Sequence, residues 1–161
     1  MKKVHYKILL IICSIVSMAT MFLPLVKMRE MLYGVKSYAM NATDFWSGDF
    51  KASLISAMIF DEQTADVIKG LLVLVLVVQA LALMSTTSKK EGGMVLGFFV
   101  AGVANVLVSL YIWHSCNVQS SGFMEGMLKV TPDVGVYLLI AVGIAEVVFL
   151  VKRSFVREKS Y

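Results

Sequence analysis

The sequence is poor in the residue types that carry most protein chemistry. Its 161 residues contain two histidines, two cysteines and two prolines, and only 16 % of them are charged. His114 and Cys116 together supply at most two metal ligands, whereas a zinc site needs three or four. No glycine-rich loop enters a helix in a phosphate-binding pattern. We therefore expect no catalytic residues, no metal, no cofactor and no enzymatic activity.

The distribution of cysteine and of positive charge excludes further classes. Cys13 lies within an apolar segment and Cys116 in a polar connection, so we expect no disulfide. The net charge is +4, but the cationic residues gather at the ends of apolar segments and form no basic face with interleaved aromatics. A nucleic-acid-binding protein needs such a face, so we expect no nucleic-acid partner. Repeats and linkers are also absent, which predicts a single domain over residues 1–161.

What the chain has in abundance is apolar sequence. Hydrophobic residues make up 58 % of it and the mean hydropathy is +0.79, whereas soluble domains have about 45–50 % apolar residues. The apolar residues form four segments, each long enough to cross a hydrocarbon layer of about 30 Å. We therefore predict an all-α membrane protein with four antiparallel transmembrane helices, at about residues 8–26, 67–84, 93–113 and 134–151. A cleaved signal peptide is the alternative for the first segment, but the apolar run continues beyond the candidate cleavage site at 17–19.

The connection between the first two segments, residues 27–65, is the longest polar stretch. Weak alternation over 28–40 predicts one or two short strands, and apolar spacing over 54–59 predicts a short amphipathic helix. We expect Trp46 to pack against that helix, because an indole buries about 150–250 Å². If Phe45 and Trp46 are instead exposed side by side, they form a candidate outer interaction patch.

Positive charge predicts the orientation of the four helices. The side that holds both termini and the loop 85–92 carries nine cations and two acids, whereas the other side carries six cations and eight acids. Lysine and arginine are enriched in the cytoplasmic segments of membrane proteins. We therefore expect both termini to be cytoplasmic and the segment 27–65 to be outside. The second outer connection, 115–133, should contain a short helix around 123–129.

An acidic side chain lies inside the last predicted span. A charge at Glu146 would cost about 2.5–3.5 kcal/mol near the middle of a bilayer. Gly135 and Gly143 share its helix face, so that face should turn toward protein. Gln79 and Ser14 lie at a similar depth in their own spans, about 9 Å from the inner edge. We interpret Glu146, Gln79 and Ser14 as a candidate intramembrane polar layer that determines helix pairing, and a proton- or cation-coupled site at Glu146 is the alternative.

The third predicted span has a stripe of small residues at four-residue intervals. Gly93, Gly97 and Ala101 form it, and Asn105 continues it. Small residues let helices approach closely within a membrane, so we expect this stripe to be a helix-packing surface. By depth, the available partner for the Asn105 amide is the Thr20 hydroxyl in the first span.

A few features of the sequence resemble a group of small uncharacterised bacterial four-helix integral membrane proteins. These features are the four spans, the long outer segment, Phe22-Leu23-Pro24 at the end of the first span, and T-P-D-V-G-V-Y-L at 131–138. Many of those proteins carry a zinc ribbon, and this chain has none. The resemblance implies a bacterial cytoplasmic membrane and no particular activity.

The absence of catalytic signals, together with a structured outer segment, favours a binding function. We expect a non-catalytic integral membrane protein that contacts the lipid bilayer and binds a protein partner or a second copy, such as a subunit or accessory of a membrane complex. The alternative is a small proton- or cation-coupled transporter or channel component that uses Glu146.

Overall fold

Four long helices dominate the computed structural model, which describes residues 3–30, 36–47, 60–87, 91–120 and 128–155. Within these ranges, four helices are long and apolar enough to cross a membrane. In chain order the elements are α1 (Lys3–Ala19, continued by a 3-10 turn at Thr20–Phe22), β1 (Val26–Glu30), β2 (Lys36–Met40), α2 (Ala42–Ser47), α3 (Glu62–Ser85), α4 (Glu91–Ser120), β3 (Leu128–Pro132) and α5 (Val134–Phe155).

The helix boundaries differ from the predicted spans where local chemistry outweighs hydropathy. The first span was expected to reach residue 26, but it ends at Phe22 because Pro24 disfavours helical conformation at the preceding residue. Leu23 is accordingly extended, with ψ of 154°. The third span was expected to end at 113, but α4 continues to Ser120. Cys116 therefore lies in a helix and is buried, not in a polar connection as predicted.

The start of α3 is determined by a capping residue. The Asp61 carboxylate accepts a hydrogen bond of 3.3 Å from the backbone N–H of Thr64, which satisfies one of the unpaired donors in the first turn. Hydrogen bonds from the Thr64 side chain and, to a smaller extent, from its backbone N–H lower the pKa of Asp61. The helix therefore begins at Glu62, five residues before the predicted apolar span.

Three short strands form an antiparallel sheet in the order β2-β1-β3. The strands β1 and β2 confirm the prediction of short strands over 28–40. The third strand was not predicted: Lys129, expected at the end of a short helix, pairs with Arg29 of β1. This pairing links residues that are far apart in sequence, so local periodicity does not reveal it. Leu128 also belongs to β3, while residues 123–127 of that predicted helix and the whole helix predicted over 54–59 lie outside the described residues.

The sheet is attached to one end of the four-helix bundle by backbone hydrogen bonds. The N–H of Asp133 donates to Leu25 O at 2.9 Å, and the N–H of Gly135 donates to Pro24 O at 2.8 Å. A Cβ atom at Gly135 would lie 2.8 Å from Leu25 Cδ2 and 2.9 Å from Pro24 O, so only glycine fits there. We call this the sheet end, and we call the end where α1 begins and α5 finishes the terminal end.

The buried apolar side chains form two clusters, one toward each end of the bundle. The larger cluster joins the sheet to the helices and includes Val26, Met28 and Val130 from the strands. The smaller one, at the terminal end, includes Leu10, Phe98 and Leu150. Because successive helices run between the two clusters in opposite directions, the bundle is antiparallel, as predicted.

Candidate functional site

Helices α4 and α5 make their closest approach at a pair of glycines. A Cβ atom at Gly143 would lie 2.6 Å from Gly102 O, and one at Gly102 would lie 2.9 Å from Gly143 O. Neither position therefore accommodates a side chain without moving a backbone. Asn105 and Glu146 each follow one of these glycines by three residues, so the close crossing brings their side chains together on facing surfaces.

Glu146 is completely buried and accepts hydrogen bonds from two amide side chains. Gln79 Nε2 of α3 donates to Glu146 Oε2 at 3.3 Å, and Asn105 Nδ2 of α4 donates to the same oxygen at 3.3 Å. Both amides are themselves buried. One carboxyl oxygen is thus the meeting point of three helices.

The first helix completes the arrangement with two hydroxyls. Ser14 Oγ donates to Gln79 Oε1, and Ser17 Oγ donates to Asn105 Oδ1 at 3.0 Å. Two parallel arms result, each running from a serine through an amide to Glu146 Oε2. We call these five side chains the Glu146 network. Because every one of the four long helices contributes to it, the network couples the packing of the whole bundle.

The hydrogen bonds of the network all point toward Glu146. Each amide accepts from a serine through its oxygen, so its N–H₂ group faces the carboxyl group. Among the described residues, the second carboxyl oxygen, Glu146 Oε1, has no hydrogen-bond partner. The buried hydroxyl of Ser109, one turn from Asn105 toward the sheet end, likewise has none within the described ranges. In both arms the donors therefore run from the serine toward Glu146. Glu146 Oε1 is an acceptor without a hydrogen-bond partner among the described residues.

Buried apolar side chains flank the network toward both ends of the bundle. Leu10, Phe98 and Leu150 of the smaller cluster lie within about two helix turns of the network, on the side of the terminal end. Leu72 and Leu139 of the larger cluster lie on the other side and are completely buried. Grooves of about 460 Å³ between α3 and α4 and of about 250 Å³ between α4 and α5 are lined by other side chains, none of them from the network. Among the described residues, buried apolar side chains therefore flank the network toward both ends of the bundle.

The structure brings together Ser14, Gln79 and Glu146, the three side chains of the predicted polar layer. The predicted partner of Asn105 is wrong. Thr20 lies in the 3-10 turn and donates to Ser17 O at 2.6 Å, whereas Asn105 accepts from the Ser17 hydroxyl one turn below. Depth alone suggested Thr20, but the rotation of α1 about its axis decides which hydroxyl faces α4.

The predicted small-residue stripe is a packing surface over part of its length. A Cβ atom at Gly97 would lie 3.1 Å from Ser85 Oγ and 3.3 Å from Ala82 Cα, so α3 approaches closely there. Ala101 is buried as well. No atom of the described residues lies within 4 Å of the Cβ position at Gly93, so among them this glycine makes no close helix contact.

Sequence reasoning missed two members of this site. Ser17 lies three residues after Ser14, so the two serines share a helix face, and this spacing is the signal that could have revealed it. Gly102 was missed because it stands outside the four-residue stripe. Its importance depends on the crossing with Gly143, which no local pattern shows.

Two further polar contacts join neighbouring helices at the terminal end of the bundle. Arg153, which is buried although charged, contacts Glu91 with an Nη2 to Oε1 distance of 3.3 Å. Lys7 Nζ donates to Thr86 O at 2.8 Å. These contacts join α5 to α4 and α1 to the end of α3. Within the described ranges, no group of three His, Cys, Asp or Glu side chains could hold a metal ion.

The outer interaction patch predicted from Phe45 and Trp46 does not form as a joint surface. Phe45 is buried in the larger apolar cluster, where its ring centroid lies 6.2 Å from that of Phe60. Trp46 remains 36 % exposed on the same short helix. A helix places consecutive side chains about 100° apart, so one aromatic turns inward while the next turns outward. The predicted packing of Trp46 against 54–59 lies outside the described residues.

Comparison of the chain with family models, with curated proteins and with solved structures found no match.

Proposed function

We propose that this chain is a non-catalytic integral membrane protein of a bacterial cytoplasmic membrane, whose four helices form a static scaffold for the sheet-end cap. The cap consists of β1, β2, β3 and α2. We further propose that it binds a protein partner, as a subunit or accessory of a membrane complex. The Glu146 network carries this proposal. A network that joins all four helices and has buried apolar side chains on both sides favours a fixed bundle over one that opens alternately to two sides.

Trp46 is the candidate contact of the cap with that partner. Tryptophan is enriched among the residues that dominate binding energy at interfaces, and the side chain is partly exposed while its neighbour Phe45 anchors the helix. A photo-crosslinking amino acid at position 46 should give a discrete adduct with a second protein in cells. The same amino acid at position 96, where Leu96 is 64 % exposed on α4, serves as the control for a surface expected to face lipid. Equal adduct patterns at the two positions would contradict the proposal.

Charge supports an orientation with both termini in the cytoplasm, because cations outnumber acids only on that side. The native cysteines do not suit a test of this orientation, since Cys116 is buried. In a variant lacking both cysteines, a membrane-impermeant thiol reagent added outside should label Ser37→Cys on the exposed side of β2. The same reagent should not label Lys152→Cys. The reverse pattern would overturn the orientation.

A proton- or cation-coupled transport function is the second candidate, because Glu146 Oε1 is buried without a partner among the described residues. A coupled carboxyl group needs access to each side of the membrane in turn. The apolar clusters on either side of the network argue against such access. Proteoliposomes with an internal pH-sensitive dye separate the two functions: a proton flux that is lost in Glu146→Gln would favour transport, and no flux above empty vesicles favours the scaffold.

A further inference from the structure

The exposed side of the sheet carries a cluster of positive charge. Lys27, Arg29 and Lys129 are all exposed on it, and Arg29 stands directly opposite Lys129 in the register of β1 and β3. We call this surface the cationic sheet face. Among the described residues the ion pairs are Lys69–Asp66 and Arg153–Glu91, neither of which involves the face. Like charges placed directly opposite in a sheet are destabilising, so this arrangement weakens the isolated sheet.

The cationic sheet face lies next to the level at which the helices leave their apolar environment. Trp113 and Tyr137 form an edge-to-face pair with ring centroids 5.3 Å apart, and Tyr137 is 48 % exposed. Tryptophan and tyrosine mark the membrane–water interface. Lys27 follows the end of the α1 turn at Phe22 by five residues, and Lys129 precedes α5 by five residues. Both cations therefore lie within five residues of the helix ends at the sheet end of the bundle.

We propose that the cationic sheet face binds the phosphate groups of anionic phospholipids in the leaflet at the sheet end, an inference that rests on the membrane placement in the proposed function. Arginine and lysine are the side chains that bind phosphate, through charge-assisted hydrogen bonds. The remaining described residues of the face are small or hydroxylated: Ser37, Ala39 and Thr131. The centre of a typical protein–protein interface is enriched in aromatic residues and methionine, and the described residues of this face include neither. Charge complementarity therefore favours a lipid headgroup.

Tryptophan quenching by brominated lipids tests this proposal with a probe that the chain already contains. In a Trp46→Phe background, Trp113 reports on lipids beside α4 and α5. The protein is placed in vesicles containing equal amounts of phosphatidylglycerol and phosphatidylcholine, with bromine on the acyl chains of one lipid or of the other. We expect the anionic lipid to quench Trp113 more strongly than the zwitterionic lipid. The affinity of the protein for the anionic lipid, relative to the zwitterionic lipid, should fall about five-fold for each cation removed.

Matched variants separate this face from general charge effects. Arg29→Gln should reduce the preference for the anionic lipid, and the triple variant with Lys27→Gln and Lys129→Gln should abolish it. Lys69→Gln removes a cation on α3 that is already paired with Asp66 and should leave the preference unchanged. High salt should also abolish the preference in the unsubstituted protein, which tests the proposal without any substitution.

Several outcomes would overturn the inference. Equal quenching by the two brominated lipids in the unsubstituted protein would show that no anionic lipid is bound near the face. If the preference for the anionic lipid survives the triple substitution, cations outside this face cause it. Inorganic phosphate that removes the preference at matched ionic strength would indicate a site for the free anion. Failure of the membrane placement itself is distinguishable, because the protein would then leave the membrane fraction without detergent and neither lipid would quench Trp113.

Discussion

Replacing Glu146 tests whether the buried network holds the bundle together. In Glu146→Leu, Gln79 Nε2 and Asn105 Nδ2 both lose their acceptor, at a site with no water-exposed surface. Hydrogen bonds between membrane helices contribute about 0.6 kcal/mol each on average and about 1.7 kcal/mol at most. Two lost bonds therefore predict a loss of about 1.2 kcal/mol in the free energy of unfolding, with an upper value of about 3.4 kcal/mol.

Glu146→Gln keeps a hydrogen-bond acceptor at this position and removes the ionisable group. Glutamine keeps an oxygen for the two amide donors, so we expect a loss smaller than about 1 kcal/mol if the glutamate is a neutral acid. We expect the neutral acid because no cation among the described residues contacts it. A charged Glu146 predicts the opposite sign, since glutamine would relieve a cost of about 2.5–3.5 kcal/mol and stabilise the protein.

Reversible unfolding in mixed micelles, followed by circular dichroism, provides the measurement. Val148→Leu changes a half-exposed position on the same helix and should alter stability by less than about 0.5 kcal/mol. In a double-mutant cycle, Glu146→Leu and Asn105→Leu should be less than additive by about 0.6 kcal/mol, because both remove one shared bond. Full additivity, or a Glu146→Leu variant as stable as the unsubstituted protein, would refute the view that the network fastens the helices.

Three further predictions follow from individual contacts. Gly143→Ala should destabilise by about 1–3 kcal/mol, because its Cβ would meet a backbone oxygen at 2.6 Å; Gly70→Ala, with nothing within 4 Å, should be neutral or stabilising by up to about 1 kcal/mol in the same unfolding assay. Ser17→Ala should cost about 0.6 kcal/mol and couple to Asn105→Leu, and coupling of Thr20→Val to Asn105→Leu instead would contradict the hydrogen-bond assignment. Hydrogen bonding lowers the pKa of Asp61, so its capping contribution is present above its usual pKa and is lost as the pH falls through the lowered value. Protection of the first turn of α3 against amide exchange, relative to the intrinsic rate, should decrease over that acidic range, and Asp61→Asn should remove this pH dependence.

Much of the bundle could be predicted because long apolar helices have few degrees of freedom along the chain. A rise of 1.5 Å per residue places Ser14, Gln79 and Glu146 at one depth once the ends of the spans are known. These three side chains do meet in the structure. The prediction failed for Asn105 because the same calculation says nothing about rotation around a helix axis. A hydroxyl one turn away, on Ser17, faces α4 more directly than Thr20 does.

The amino-acid sequence by itself determined the four apolar helices, their order and the alternation of the strands, because burial and backbone hydrogen bonding follow local periodicity. The tertiary structure alone decided the third strand and the crossing of Gly102 over Gly143. Each of these depends on segments that are distant along the chain and meet only after packing. The same is true of the cationic sheet face, since Arg29 and Lys129 become neighbours through the pairing of β1 with β3. Pairing across the chain therefore determines which side chains meet on a surface, and local sequence supplies the elements that carry those side chains.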